Sequence, residues 1–544
     1  MSEQARASQG GRSDAAQGGP RRAVVVATLA ALPPGGAERR AALAATAAHA
    51  EVLELRADAL GDLAPAELRR DFPGRLLYTL RSRAEGGSFD GGDERRHERL
   101  LAAAAGDWDV VDLEAERDVV PAVLAAVAPE RRLLSWHGPP ADLVELEERF
   151  ARMAATPARL YKMVVLAQHP GDELAPLLLA AAVGRSDLAA FAAGTSAAWT
   201  RFIAPRLGAP VVFAAAGAGS AGAPGQLTVA ELASDYGLPD LPPVSRLFGI
   251  VGQGVLSRSL SPRLHNAALR ALGLAAVYLP FETPSFGDFW LEVVESGAFE
   301  RCGLSLDGLS VTAPHKRAAL AVAGAVSPLA ESIGAANTLV RHEGVWEAES
   351  TDPAGVVAPL VEHGVTLAGR SALVVGAGGA GRSAVVGLVQ AGARVTLANR
   401  GVERGGEAAA ALGVPFLPLA EVDPEGFDLV VHATSLGRSP DDPPPLDVGR
   451  LRPGSVLVDL VYGEGPTALV TAARRQGLLA IDGREVLLHQ AVGQFRLMTG
   501  HDLPLDLGRR VLGLPPVAGE DGAAAATASV DAAPGDAGAA EAPA

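Results

Sequence analysis

Three glycines, Gly376, Gly378 and Gly381, stand in a G-x-G-x-x-G spacing inside Ala372–Arg400, which reads strand, glycine-rich turn, helix, strand. Glycines there permit a tight turn and let the backbone approach a pyrophosphate at the N-terminus of the following helix. The second strand ends in Asn399-Arg400. NAD sites usually carry an acidic residue near this point for the ribose 2′-hydroxyl. Here a guanidinium stands ready for a 2′-phosphate, so the residues point to NADP. Arg404, one helical turn on, adds a second cation. The plainer alternative is a flexible turn in an Ala/Gly-rich chain; the flanking strand and helix speak for the dinucleotide.

A second reactive set lies in the first half. Glu54 and Arg56 end one β-like run, Arg81 the next and Glu114 the next; His137 ends the fifth, and Lys162 lies within the sixth, LYKMVV. A lysine among apolar walls and other cations loses its proton more readily. Its free amine can attack a ketone to form a Schiff base, a role suited by a pKa of about 7–8. His137 would move protons, with Glu114 setting its orientation or tautomer. Arg56, Arg81 and Arg201 would meet a carboxylate. Structural ion pairs are the alternative.

The second half carries a third set. In FGIVGQGVLSRSLSPRLHNAAL, Ser259 and Ser261 are two apart in a loop, where their hydroxyls can hold one carboxylate. Helix capping by Ser261 with Pro262 at the first helical position fits equally well. SVTAPHK places Thr312 and Lys316 after a strand, GAANTL supplies Asn337 and ESTD supplies Asp352. Lysine, asparagine and aspartate together can bind hydroxyls and handle a proton during carbonyl reduction.

These residues need a scaffold. Short β-like runs at Ala23–Thr28, Glu51–Arg56, Leu76–Arg81, Trp108–Glu114, Arg132–His137, Arg159–Val165, Leu188–Gly194 and Pro210–Ala216 alternate with helical stretches such as Ala41–Ala50 and Leu143–Met153. That count fits a (β/α)₈ barrel, whose active site forms at the C-terminal strand ends. Prolines in GLPDLPPVSR mark a linker at 238–246. The α/β fold expected is a barrel at 22–237, a substrate-binding domain at 247–354 completed by 484–512, and a Rossmann domain at 355–483. A late helix near Leu487–Thr499 should pack back on the first of these last two units. The halves, each with its own core, should fold separately. Segments 1–21 and 513–544, rich in Ala, Gly, Ser and Pro, should be disordered.

Composition sets bounds. A chain of 544 residues has room for about three or four domains. Its net charge of −16 disfavours nucleic-acid binding. The single cysteine, Cys302, allows no intrachain disulfide. No apolar run is long enough for a membrane span. A cytoplasmic protein without a metal is expected; its oligomeric state stays open.

The motifs EVLELRAD, LLYTLRS, VVDLE, LLSWHG, LYKMVV and AGAPGQL occur in the order found in type I 3-dehydroquinate dehydratases. The resemblance covers nearly all of Arg22–Tyr236. It implies an imine between Lys162 and 3-dehydroquinate, proton transfer by His137 and pairing of Glu114 with His137. It also implies substrate contacts from Glu54, Arg56, Arg81, Arg201 and Gln226. Gly222 departs from the family, which usually has serine two residues before the proline of this turn. The second half, about Leu247–Gly508, resembles shikimate dehydrogenase. That implies Ser259 and Ser261 as carboxylate ligands and Lys316 and Asp352 as the catalytic pair. Thr312, Asn337, Tyr462 and Gln490 would be further substrate contacts. Gly376, Ala377, Gly378, Gly379, Ala380, Gly381, Asn399, Arg400, Arg404, Val461 and Gly483 would form the NADP(H) site. His432 in VHATSLG replaces the family's asparagine, and Gly401 stands where threonine commonly follows the Asn-Arg pair. The two implied reactions are consecutive: 3-dehydroquinate to 3-dehydroshikimate, then shikimate. Alternatives are a quinate-preferring reductase half and a non-catalytic sensor of these ligands.

Overall fold

The computed structural model describes residues 21–32, 36–439 and 441–516. Residues 1–20 and 517–544, most of the two segments expected to be disordered, lie outside that range. Residues 513–516 depart from the expectation. Leu514 is buried, and its amide bonds to Arg509 O at 2.8 Å, closing the last helix, Leu505–Val511.

Among the described residues, the first half forms an 8-stranded parallel sheet. Its strands are β1 (Val24–Leu29), β2 (Val52–Arg56), β3 (Arg75–Thr79), β4 (Val110–Glu114), β5 (Arg132–Gly138), β6 (Leu160–Leu166), β7 (Leu188–Ala193) and β8 (Val211–Ala215). They are ordered β7-β6-β5-β4-β3-β2-β1-β8, so the sheet curls into a barrel lacking only a ladder between β7 and β8. The eight β-like runs of the sequence all appear, shifted by one or two residues at their ends. Strand alternation sends every second side chain inward. Hence Glu54 and Arg56, Lys162 and Val164, and Phe191 and Ala193 line one interior cavity.

The expected linker is not a free connection. Asp240–Leu241 pairs antiparallel with Arg21–Arg22, and Leu238 and Leu241 are buried, because apolar side chains between the prolines seal the barrel's base.

The second half contains two six-stranded sheets. The first comprises β9 (Arg246–Gly252), β10 (Ala276–Glu282), β11 (Ser305–Val311), β12 (Ala325–Val326), β13 (Thr338–His342) and β14 (Val345–Glu349), ordered β10-β9-β11-β13-β14-β12. The second is wholly parallel: β15 (Ser371–Val375), β16 (Arg394–Asn399), β17 (Phe416–Pro418), β18 (Leu429–His432), β19 (Val456–Asp459) and β20 (Leu479–Ile481), ordered β17-β16-β15-β18-β19-β20. The strand order reverses beside β15, the switch point where dinucleotides bind in such folds. The late helix runs Gly483–Thr499, longer than expected, because Asp482 and Glu485 form a capping box at its start. It returns to the first sheet, burying Leu488, Ala491 and Phe495 with Phe248 and Leu264.

One hydrophobic core runs from the barrel into the β9–β14 domain. Trp199 is 1% exposed, its ring 5.2 Å from Phe281 and 5.7 Å from Phe299 across the boundary. Cutting the chain at the linker would expose these aromatics, so the halves share a core rather than each enclosing its own.

Candidate active sites

The barrel cavity, about 290 Å³, opens at the C-terminal strand ends. Strand β6 brings Lys162 into it, buried, with its Nζ 3.9 Å from the centre of the Phe213 ring. Burial is the main cause lowering the Lys162 ammonium to about 8; Arg81 and Arg201 add to it, against Glu54 and Asp112. Glu54 on β2 accepts from Thr28 Oγ1 at 2.6 Å and from Thr79 Oγ1 at 2.9 Å. Burial pushes its carboxyl up, but Lys162, Arg56 and the two hydroxyls outweigh that and hold it below its usual range.

The expected Glu114–His137 pair is not formed. His137 Nδ1 lies 2.9 Å from Glu85 Oε2 instead. Glu114 accepts from the Ser82 amide at 2.8 Å and from Arg81 Nη1 at 3.3 Å. The 3₁₀ turn Arg83–Glu85 after β3 brings Glu85 to the cavity and against the imidazole, while Arg81 bridges Glu85 and Glu114. Burial above all, then Arg81 and Lys162, hold His137 well below its ordinary value. Burial also raises the Glu85 carboxyl, helped by Glu114 and Asp112 and opposed by Arg81.

The three arginines differ. Arg81 meets Asp112, Glu85 and Glu114, so its charge is already matched by protein carboxylates, against the expectation that it meets a substrate carboxylate directly. Arg56 pairs with Asp58 at 2.8 Å and donates to Gly222 O at 3.0 Å. Arg201 makes no ion pair among the described residues, and its Nε has no partner. Gln226 accepts from the Gly222 amide at 2.7 Å and donates to Thr28 at 3.1 Å, so it ties the turn over the cavity. Sequence reasoning missed Glu85, Asp112 and Phe213. Asp112 was findable: it lies two before Glu114 on β4 and must share its face.

In the second half, Lys316 Nζ sits 2.5 Å from Asp352 Oδ2, and Asn337 Nδ2 donates to Asp352 Oδ1 at 2.7 Å. Asp352 opens the helix Asp352–Glu362 and is buried. Gln494 fixes Asn337 by bonding its carbonyl at 3.0 Å. Thr351 Oγ1 donates to Gln490 O at 3.0 Å, bringing the late helix beside the pair. Thr312 follows β11 and packs on Gly252. The helix after Ser259 starts at Ser261 with Leu260 as its cap residue, so Ser261 does not cap it. Ser259 Oγ accepts the Ser261 amide at 3.2 Å. Burial raises the Tyr462 phenol, and the neighbouring Ser259 hydroxyl opposes the shift. Tyr462 and the serines therefore share one polar corner. Tyr278, which donates to Ser310 Oγ at 2.6 Å and also reaches Ser261, was missed.

The glycine-rich turn has the shape of a phosphate cradle. Gly376 adopts φ +118, and a Cβ on Gly381 would fall 1.8 Å from Gly376 O. A Cβ on Gly378 would meet nothing within 4 Å, which leaves open space before the helix Gly379–Gln390. Ala377 N donates to Asn399 Oδ1 at 3.3 Å, and Ala380 lies in the first turn of that helix. Lys316 Cδ is 3.4 Å from the Cβ position of Gly379, so the catalytic candidates face the cradle. Arg400 and Arg404 are exposed and in no ion pair among the described residues. Val461 and Gly483 pack together, a Gly483 Cβ falling 2.3 Å from Val461 O. His432 bridges Asp459 at 2.9 Å and Thr434 at 2.6 Å. Gly401 leaves the next helix uncapped by a side chain, and Asn399 Nδ2 bonds its carbonyl at 2.8 Å.

Comparison with known proteins agrees with this division. Residues 35–240 match the type I 3-dehydroquinase model, residues 250–339 the shikimate dehydrogenase substrate binding domain, and residues 483–512 the shikimate 5'-dehydrogenase C-terminal domain. Residues 371–443 match an FAD binding domain model, over the glycine-rich βαβ unit that flavin and nicotinamide folds have in common. A bifunctional 3-dehydroquinate dehydratase/shikimate dehydrogenase of Arabidopsis thaliana, chloroplastic, is 28% identical over 84% of this chain and 79% of its own. A shikimate dehydrogenase (NADP(+)) of Acidiphilium cryptum is 41% identical over 47% of this chain and 91% of its own. One from Rubrobacter xylanophilus is 38% identical over 51% of this chain and 98% of its own. With a serine-lined corner, a Lys–Asp pair and a glycine cradle behind a lysine-centred barrel, the chain belongs to the shikimate dehydrogenase family, joined at its N-terminal half to a type I 3-dehydroquinase.

Proposed function

We propose that the chain catalyses two consecutive reactions, dehydration of 3-dehydroquinate to 3-dehydroshikimate and NADPH-dependent reduction of that product to shikimate. The observation that carries the first is a buried lysine lowered to about 8, lining the same barrel cavity as an imidazole. The amine of Lys162 attacks the ketone and water leaves, giving an iminium that draws electrons from the neighbouring carbon. His137, held by Glu85, takes the proton from that carbon and returns it to the departing hydroxyl. Hydrolysis of the imine frees Lys162. Arg201, unmatched by any protein carboxylate among the described residues, meets the substrate carboxylate. Glu54, Arg56 and Gln226 hold its hydroxyls, with Arg81 positioned behind them.

In the reductase half, the cradle fits a dinucleotide because Gly378 leaves room where a side chain would stand. Gly376–Gly381 would hold the pyrophosphate, Asn399, Arg400 and Arg404 the adenosine ribose and its 2′-phosphate, and Val461 and Gly483 the nicotinamide side. Bound NADPH supplies a hydride to the carbonyl carbon. Lys316, kept in place by Asp352, delivers the proton to the carbonyl oxygen. Ser259, Ser261 and Tyr462 hold the carboxylate; Thr312, Asn337 and Gln490 orient the ring hydroxyls.

We place the protein in the cytoplasm, in keeping with its single, half-buried cysteine. Among the described residues no helix is long and apolar enough to cross a membrane. The function is tested by supplying 3-dehydroquinate with and without NADPH. Enone formation should need no cofactor, and NADPH oxidation should follow it. Shikimate and quinate offered with NADP⁺ decide which alcohol the reductase half accepts. Lys316→Ala should stop NADPH oxidation and spare enone formation.

A further inference from the structure

The turn Gly222–Gln226 covers the barrel cavity, and its own polar anchors are few: Arg56 to Gly222 O, and Gln226 to the Gly222 amide and Thr28. Gly222 offers no side chain of its own. At Gly225 one side of this lid packs against the rest of the chain. That residue adopts φ +75, and a Cβ there would lie 3.0 Å from Ala198 Cβ, 3.2 Å from Gly194 O and 3.3 Å from Leu256 Cδ2. Leu256 belongs to the other half of the chain, in the short helix Val255–Arg258. Its position is set by Glu282, which accepts the Gly254 amide at 2.5 Å and the Leu256 amide at 3.2 Å. Glu282 follows Phe281, whose ring packs on Trp199. Trp199 in turn opens the helix Trp199–Ile203 that carries Arg201. Two pieces of the dehydratase site, the lid and the Arg201 helix, therefore rest on one patch of the reductase half.

We infer that Leu256 is a positioning residue for the dehydratase: its side chain seats the Gly222–Gln226 lid from outside and holds it over the substrate. The inference rests on the proposed dehydratase activity. A lid braced from behind keeps Gln226 where it meets a bound substrate, and the Gly222 carbonyl where it holds Arg56. An unbraced lid samples open positions, so binding weakens while chemistry at Lys162 is unchanged once substrate is in place. A relaxed lid thus raises KM and leaves kcat.

The test uses the full chain. Wild-type turnover of 3-dehydroquinate is measured first; its absence would refute the activity itself, which separates that failure from failure of the lid role. Leu256→Ala should then raise KM for 3-dehydroquinate by about three- to tenfold, the size of one lost apolar contact. Its kcat, and the borohydride-trapped adduct at saturating substrate, should stay at the wild-type level. Leu256→Met, which keeps the volume, should restore KM. Reduction of supplied 3-dehydroshikimate should be unchanged in both variants, which also reports that the chain is folded. An unchanged dehydratase KM in Leu256→Ala would overturn the inference, and so would an equal loss in both reactions.

Discussion

His137 Nδ1 and its own backbone amide both meet one oxygen of Glu85, at 2.9 and 3.1 Å. Two bonds from a single carboxylate oxygen fix the ring at both its root and its inner nitrogen, and leave Nε2 for the substrate. A side chain in a loop thereby sets the geometry of a proton-transfer residue on a strand.

Glu85→Gln keeps the shape and removes the ionisable oxygen. Dehydration should fall by about 10- to 100-fold in kcat, less than the loss expected from removing the imidazole itself, about 10²–10⁴ for His137→Ala. Glu114→Gln, which does not touch the ring, should cost less than Glu85→Gln. Steady-state rates for the three variants decide the order.

The pH profile follows from Lys162. Its pKa is lowered to about 8, chiefly by burial and then by Arg81 and Arg201. Below that value the amine is protonated, so imine formation should rise with pH, about tenfold per unit, and level off above about 8. Glu54 favours the ammonium form. Glu54→Gln should therefore move the rising limb to lower pH. Borohydride trapping at a series of pH values reads this directly, and the adduct should map to Lys162.

Cofactor choice rests on Arg400 and Arg404, which are exposed. Wild type should prefer NADPH. Arg400→Ala should raise KM for NADPH by about tenfold, the size of one charge-assisted hydrogen bond, and barely change that for NADH. Equal efficiency of the two cofactors in the wild type would overturn this assignment.

His432 is fully buried, and its two ring nitrogens tie Asp459 to Thr434. Asp459 also accepts the Val461 amide at 3.0 Å and Thr467 Oγ1 at 2.6 Å. His432→Ala leaves a cavity and takes one hydrogen-bond partner from each of Asp459 and Thr434, at a cost of about 2–4 kcal/mol. His432→Asn, restoring the residue usual in the family, should cost less. Urea unfolding monitored with NADPH binding distinguishes the two.

Much of this molecule is legible in its sequence. Strand alternation is local, so the inward-facing runs of the barrel, and Lys162 among them, follow from the order of residues alone. The glycine spacing at Gly376–Gly381 is likewise a short-range steric requirement, since a Cβ on Gly381 would strike the Gly376 carbonyl. Pairings between distant residues were not legible. Glu85 lies 52 residues from His137, in a loop with no motif, and reaches it only because the barrel curls. The same curvature gives Arg81 its three carboxylates and so leaves Arg201 unmatched. Leu256 meets the lid, and Leu238 and Leu241 seal the base, through a core shared between the two halves. Local sequence sets which way a side chain points from its own element; which partner it finds depends on how elements pack, because burial rewards the sum of apolar contacts and no short stretch of chain carries that sum.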